Sequence, residues 1–264
     1  FLPMEGGWIS LKTRRPLLHI LGGFCLVAAN LSFFSGLATI PLADCSAIFF
    51  VAPLIITALS ALFLKERVGF RRWTALTVGM AGVLLIVKPG SIDFEWTILL
   101  PLIAALAYSI KNIITRNMGL SEAAVTMSFY LHLTFIVSCV VMGLFFGDGK
   151  FSGTNDPATE FIFRAWIVPS LEMTAVIFVA GIGSAVGGYC ISQAYRHSSA
   201  SLVAPFEYST LVLAVFWGYS LWGELPGFLS SVGIVLIIAS GVFIALREGH
   251  IEKGPSVKRV SGRR

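Results

Sequence analysis

Long apolar runs separated by short polar connections dominate the chain. A helix that crosses the hydrocarbon layer needs about 20 mostly apolar residues. Runs of that kind recur at roughly 17–38, 44–64, 73–88, 96–115, 123–146, 173–195, 201–222 and 228–246. The pattern predicts about eight spanning helices. Lys65-Glu66-Arg67, Lys88-Pro89-Gly90 and Arg247-Glu248 close the second, third and eighth of them. The third run is short, and its helix is expected to begin earlier, near Phe70. Residues 39–43 alone connect the first two runs, which makes those helices antiparallel neighbours. The longest connection, 147–172, gathers Gly147, Gly149, Gly153, Asn155, Asp156 and Pro157, then Phe161, Phe163 and Trp166. That composition suits a short helix lying at the membrane interface.

Composition agrees with the pattern. Of 264 residues, 56% are hydrophobic and 12% are charged, where a soluble chain carries about 25% charged residues. The mean hydropathy is +0.84. An ordinary cytosolic enzyme, a disordered tail and a nucleic-acid module are excluded, so nucleic acid is no partner. The net charge of +5 therefore reads as basic loops rather than a nucleic-acid footprint. Cys25, Cys45, Cys139 and Cys190 are far apart and show no metal-ligand spacing, so they read as small buried hydrophobes. No cofactor is implied.

The basic residues are distributed by side. With eight spans, Lys12, Arg14 and Arg15, then Lys65, Arg67, Arg71 and Arg72, then Arg116, Arg196 and the tail from Arg247 to Arg264 all fall on one face. Only Lys88, Lys150 and Arg164 fall on the other, and Lys111 lies within a span. Such bias places both termini in the cytoplasm, and the expected location is a bacterial-type inner membrane.

The chain also repeats itself. Laying Gly36 on Ala194 aligns residues 36–43 with 194–201 and, without a gap, Leu64-Lys65-Glu66 with Trp222-Gly223-Glu224 and Gly69-Phe70 with Gly227-Phe228. Lys65, Arg67, Arg71 and Arg72 correspond to Gly223, Leu225, Leu229 and Ser230. One copy ends in basic residues and the other in neutral ones, as expected when a unit recurs upside down. Inverted repeats characterise secondary transporters, whose substrate site lies near the midplane where the copies meet.

These residues resemble a known family. Residues 37–44, Ala52-Pro53-Leu54, Leu64-Lys65-Glu66-Arg67 and Gly79-Met80-Ala81-Gly82-Val83 are similar to the first half of an EamA-type permease of the drug/metabolite transporter superfamily. Residues 194–200, Val203-Ala204-Pro205-Phe206-Glu207-Tyr208 and Trp222-Gly223-Glu224 resemble its second half. The resemblance implies ten helices in two inverted halves. Residues 1–90 would be a partial first repeat of three helices, 91–250 a second repeat of five, and 251–264 a basic tail. By that count the family's first two helices are expected to be missing, as in a fragment or a diverged short form. Pro205-Phe206-Glu207-Tyr208 resembles the branch that includes S-adenosylmethionine uptake carriers, which implies a cationic substrate.

Ionisable groups inside a bilayer are costly and are candidates for function. Glu207 leads, flanked by Phe206, Tyr208 and Trp217. It could meet a cationic or proton-coupled substrate, or be a structural carboxylate bonded to a neighbour. Lys111, with Tyr108 on the same helix face, could pair with Glu207, bind a carboxylate or extend to the cytoplasmic surface. Tyr130 and His132 point in different directions, and His132 could relay protons or only pack. Tyr189 and Gln193 share a face. Asn30 is a lone polar residue suited to interhelical bonding. Asp44 is placed to cap the second helix. Gly183 and Gly187 have the spacing of a close helix contact.

The expected function is secondary transport of a small organic metabolite by alternating access. A small-molecule substrate, protons and membrane lipids are the expected partners, and a homodimer is a further expectation. No nucleotide-binding motif appears, and four scattered histidines make no enzyme site. A non-transporting scaffold or regulatory remnant is the alternative reading.

Overall fold

The computed structural model describes residues 11–64, 69–87, 96–119, 121–153, 156–198, 203, 209–223 and 225–251. Ten α-helices account for most of them: α1 Pro16–Leu37, α2 Leu42–Phe49, α3 Ala52–Phe63, α4 Phe70–Val87, α5 Leu100–Met118, α6 Ala124–Phe146, α7 Pro157–Phe163, α8 Leu171–His197, α9 Ser209–Trp222 and α10 Phe228–Ile251. A 3-10 turn, Trp96–Leu99, leads into α5. Five segments are long and apolar enough to cross a membrane: Pro16–Leu37, Asp44–Phe63, Trp96–Met118, Ala124–Phe146 and Leu171–His197. Shorter apolar helices, Trp73–Ile86, Leu213–Trp222 and Phe228–Phe243, fill the three remaining predicted positions. The third predicted helix does begin at Phe70.

The second span is broken. Pro53 has no amide hydrogen for the Phe49 carbonyl, and its ring crowds that carbonyl. The helix stops at Phe49 and restarts at Ala52, so α2 and α3 meet at a kink over Phe50 and Val51. Asp44 does not cap this helix. Pro41 is the N-cap, and Asp44 sits in the first turn, where a carboxylate still favours the positive end of the helix dipole.

The molecule is apolar outside as well as inside. Leu171, Val176, Phe178 and Val179 of α8 are each more than two-thirds exposed, as are Leu144 and Phe145 of α6. Lipid, not water, suits such a surface. Several hydroxyl groups in the spans bond their own helices. Thr57 donates to the Pro53 carbonyl, Thr115 to Lys111 and Thr134 to Tyr130. Each of these three hydroxyl hydrogens is then satisfied without water. Ile48, Val51, Leu54, Ala105 and Ile237 form the main core, where α2, α3, α5 and α10 meet.

Glycine sets the closest contacts. A Cβ at Gly82 would lie 2.7 Å from the Gly233 carbonyl oxygen, and one at Gly233 would lie 2.5 Å from that of Gly82. Gly79 faces Ser240, so α4 and α10 run antiparallel. A Cβ at Gly23 would strike the Thr134 side chain, which joins α1 to α6. The sequence places a close helix contact at Gly183 and Gly187. No described atom lies within 4 Å of a Cβ at either position, and Gly188 instead meets His132.

The long connection folds as predicted around α7. Asp156 caps it, accepting from the Thr159 amide at 3.0 Å and also from the Thr159 hydroxyl. Those bonds hold the Asp156 carboxyl below its ordinary range. A lowered value means that the stabilisation is complete above the ordinary aspartate range and is lost as pH falls through the lowered value. Asp156→Ala should therefore speed amide exchange across 157–163 at neutral pH and change nothing in strong acid.

Candidate functional site

The kink between α2 and α3 faces the middle of α5. Ser109 of α5 shares its hydroxyl hydrogen between the Ala52 carbonyl at 3.1 Å and its own helix's Ala105 carbonyl at 2.6 Å. This anchors α5 at the point where the α2–α3 ladder is interrupted. One turn of α5 then presents Tyr108, Lys111 and Asn112. The Tyr108 ring lies 5.4 Å from Phe49, centroid to centroid, and the Lys111 Nζ lies 4.5 Å from the Tyr108 ring centroid. Lys111 is 5% exposed, although about two turns of helix separate it from the end of α5 at Met118. Its charge sits against an aromatic face, where the ring quadrupole attracts a cation. Asn112 is fully buried, and neither its amide nitrogen nor its amide oxygen has a hydrogen-bond partner among the described residues. An unsatisfied buried amide is costly. Here it adds a donor and an acceptor next to the lysine.

The other predicted site residues fall elsewhere. Tyr189 and Gln193 do meet: the Gln193 amide donates to the Tyr189 hydroxyl at 2.8 Å, and His197 Nε2 lies 3.1 Å from the Gln193 oxygen. Tyr189 packs against Ile114, Met118 and Met127, between α5, α6 and α8. Tyr130 donates to the Leu11 carbonyl at 3.1 Å, at the end of the bundle that carries Arg14 and Arg15. Asn30 donates to the Leu26 carbonyl and lines a small apolar cavity of about 130 Å³ with Phe34, Phe135 and Phe161. Trp217 packs on Phe216 and is half exposed. His132 bonds the Ser128 carbonyl of its own helix at 2.8 Å and packs on Gly188. Glu207 and Tyr208 lie outside the described residues, as do Glu66 and Glu224.

At the Arg14 end, Arg116 donates to the Arg196 carbonyl at 3.3 Å, and Gly119 packs against the Arg196 backbone. These contacts bring together basic residues that are far apart in sequence. Sequence reasoning singled out neither Ser109 nor Glu122. Both are common residue types, and only the fold shows them facing other helices. Among the described residues, no group of three or more histidine, cysteine, aspartate or glutamate side chains is placed to hold a metal ion.

Comparison with known proteins places this geometry in context. The family model described as the EamA-like transporter family matches residues 1–88 and 95–246. An S-adenosylmethionine uptake transporter of Rickettsia conorii is 30% identical over 90% of this chain and 75% of its own length. A riboflavin transporter of Rhizobium johnstonii is 27% identical over 95% of this chain and 77% of its own. A pseudopaline exporter of Pseudomonas aeruginosa is 27% identical over 93% and 80%. A solved crystal structure superposes with a TM-score of 0.66 at 18% identity, covering 95% of this chain and 83% of the other. That likeness establishes the fold.

Proposed function

The chain belongs to the EamA-like transporter family, and from that premise we propose that it carries a small zwitterionic or cationic metabolite across a bacterial inner membrane by alternating access. Its family and relatives are transporters rather than enzymes. The observation that carries the proposal is the buried Lys111, set against Tyr108 and beside the unsatisfied Asn112, at the α2–α3 kink. A lysine held inside a span marks a solute or ion path, and it suits a carboxylate on the solute. Glu207, in the proposed second repeat, suits a cationic centre. S-adenosylmethionine carries both kinds of group, and proteins 28–30% identical to this chain bear the name of its uptake transporter.

The antiparallel pairing of α4 and α10 supports the inverted repeat, because these are corresponding helices of the two proposed copies, 1–90 and 91–250. The meeting of Arg14, Arg116 and Arg196 at one end supports cytoplasmic termini. The energy source proposed is a proton or substrate gradient.

Proteoliposomes test the reading through uptake of labelled S-adenosylmethionine and of riboflavin. Wild-type protein should accumulate S-adenosylmethionine. Glu207→Gln should lower its uptake at least about tenfold, near 1.4 kcal/mol, with undiminished protein in the membrane. Wild-type uptake by that variant removes Glu207 from the site. Uptake of riboflavin in place of S-adenosylmethionine overturns the charged-solute reading.

A further inference from the structure

Two cavities adjoin at the end of the bundle opposite Arg14, one on each side of the short helix α7. The larger, of about 370 Å³, lies where α7, the last turns of α1 and the Trp96–Leu99 turn converge. Its lining includes Ser32, Ser35, Trp96, Thr97, Asp156 and Thr159. The smaller, of about 130 Å³, lies between α1, α6 and α7, among Leu31, Phe34, Phe135, Met142 and Phe161. Leu31 lines both. α7 divides them, with Ala158, Thr159 and Ile162 on the polar cavity and Phe161 on the apolar one. The Phe161 ring stacks on Phe34, 6.3 Å between centroids. Along α1 the apolar cavity reaches Val27, about two turns deeper into the span than Ser35.

The polar cavity suits a cationic head that carries acceptors behind it. Asp156 is the one charged residue among the described residues that line it. The bonds from Thr159 hold the Asp156 carboxyl below its ordinary range, so it is an anion at neutral pH. Trp96 stands at the rim, 78% exposed, and an indole face attracts a cation. Ser35 is the most deeply buried residue of the lining, at 1% exposure. Its hydroxyl has no hydrogen-bond partner among the described residues. A buried hydroxyl without a partner is costly, and a ligand oxygen in the cavity would satisfy it. Position matters as much as chemistry. The polar cavity is nearer the end of the span and the apolar one reaches deeper, the order in which a lipid presents headgroup and acyl chain. Tryptophan is at home at this boundary.

We propose that the two cavities form a binding site for one phosphatidylethanolamine molecule of the leaflet at this end. The headgroup ammonium donates to the Asp156 carboxylate and rests against the Trp96 ring. Ser35 donates to a phosphate or ester oxygen. One acyl chain passes Leu31 into the slot among Phe34, Phe135 and Phe161. An anionic headgroup without an ammonium meets Asp156 as a like charge and is disfavoured. The bound lipid ties α7 to α1 and to the start of α5. The site is separate from Lys111 and does not depend on which solute the chain carries.

Native mass spectrometry of the full chain, released from detergent micelles with added lipid, tests this. The probes are palmitoyl-oleoyl phosphatidylethanolamine and palmitoyl-oleoyl phosphatidylglycerol. Wild type should retain one phosphatidylethanolamine about tenfold more tightly than phosphatidylglycerol. Asp156→Asn keeps a residue able to cap α7 and should erase that preference. Ser35→Ala should weaken phosphatidylethanolamine about fivefold. Trp96→Leu, at an exposed position, should weaken it about threefold, and gives the reading where another variant does not fold. Asp148→Asn removes an exposed carboxylate paired with Lys150 at the same end and should bind as wild type does. Equal retention of the two lipids by wild type, as for lipid that only coats the bundle, overturns the site. So does an undiminished preference in Asp156→Asn, or wild-type phosphatidylethanolamine binding in Ser35→Ala or Trp96→Leu. Loss of that binding in Asp148→Asn overturns it too.

Discussion

Valine at Gly82 or Gly233 is expected to stop α4 and α10 from packing and to leave little folded protein in the membrane. The backbones of these helices touch at the two glycines, and each glycine's missing Cβ would fall 2.5–2.7 Å from the other's carbonyl oxygen. A carbonyl in a helix ladder cannot turn aside as a side-chain tip does. The helices must separate, and Val83, Ile86, Ile234 and Ile237 then lose their buried contacts. Overpacking costs about 1–3 kcal/mol when side chains can adjust, and this contact lies at or above the top of that range. Thermal unfolding in detergent gives the measurement. Gly181→Val is the control, because no described atom lies within 4 Å of its added Cβ. Equal midpoints for Gly82→Val and Gly181→Val would show that α4 and α10 do not meet this way.

The second large effect is expected at Lys111, and it separates function from stability. Lys111→Met keeps the volume and removes a buried charge, whose insertion at mid-span costs about 2.5–3.5 kcal/mol. The variant should still reach the membrane as folded protein and should fall about 100-fold in transport, near 2.7 kcal/mol. Lys111→Arg should recover part of the loss. Transport by Lys111→Met at the wild-type rate would leave the lysine a structural role only. Tyr108→Leu, which removes the ring beneath the ammonium, should give a smaller loss, about tenfold.

Much of the fold is legible in the sequence, because a bilayer leaves little choice. An apolar run of sufficient length must satisfy its own backbone, and only a helix does so within one segment. The eight runs, the helix start at Phe70 and the short helix near Phe161 all follow from that constraint. The Lys111–Tyr108 pairing is also legible, since residues three apart share a helix face. Contacts between helices are less so. Gly183 and Gly187 have the spacing of a packing motif, yet Gly188 makes the contact with α6. In a soluble helix the apolar stripe marks the inner face. In α8 every face is apolar, and lipid is as good a solvent for leucine as another helix is.

The sequence by itself determined that this chain is a bundle of membrane helices, because length and hydropathy decide insertion. It also contained the family pattern, and it singled out Lys111 by placing a charge where charges are costly. Only the tertiary structure decided what meets what. Glu122 accepts a hydrogen bond from Thr13 and lies 3.9 Å from His19, each more than a hundred residues away in the chain, and no local period connects them. Asn112 is unremarkable until its amide is seen to lack a partner. Helix packing in lipid is set by close steric fit and a few polar bonds, both of which depend on residues distant in the chain.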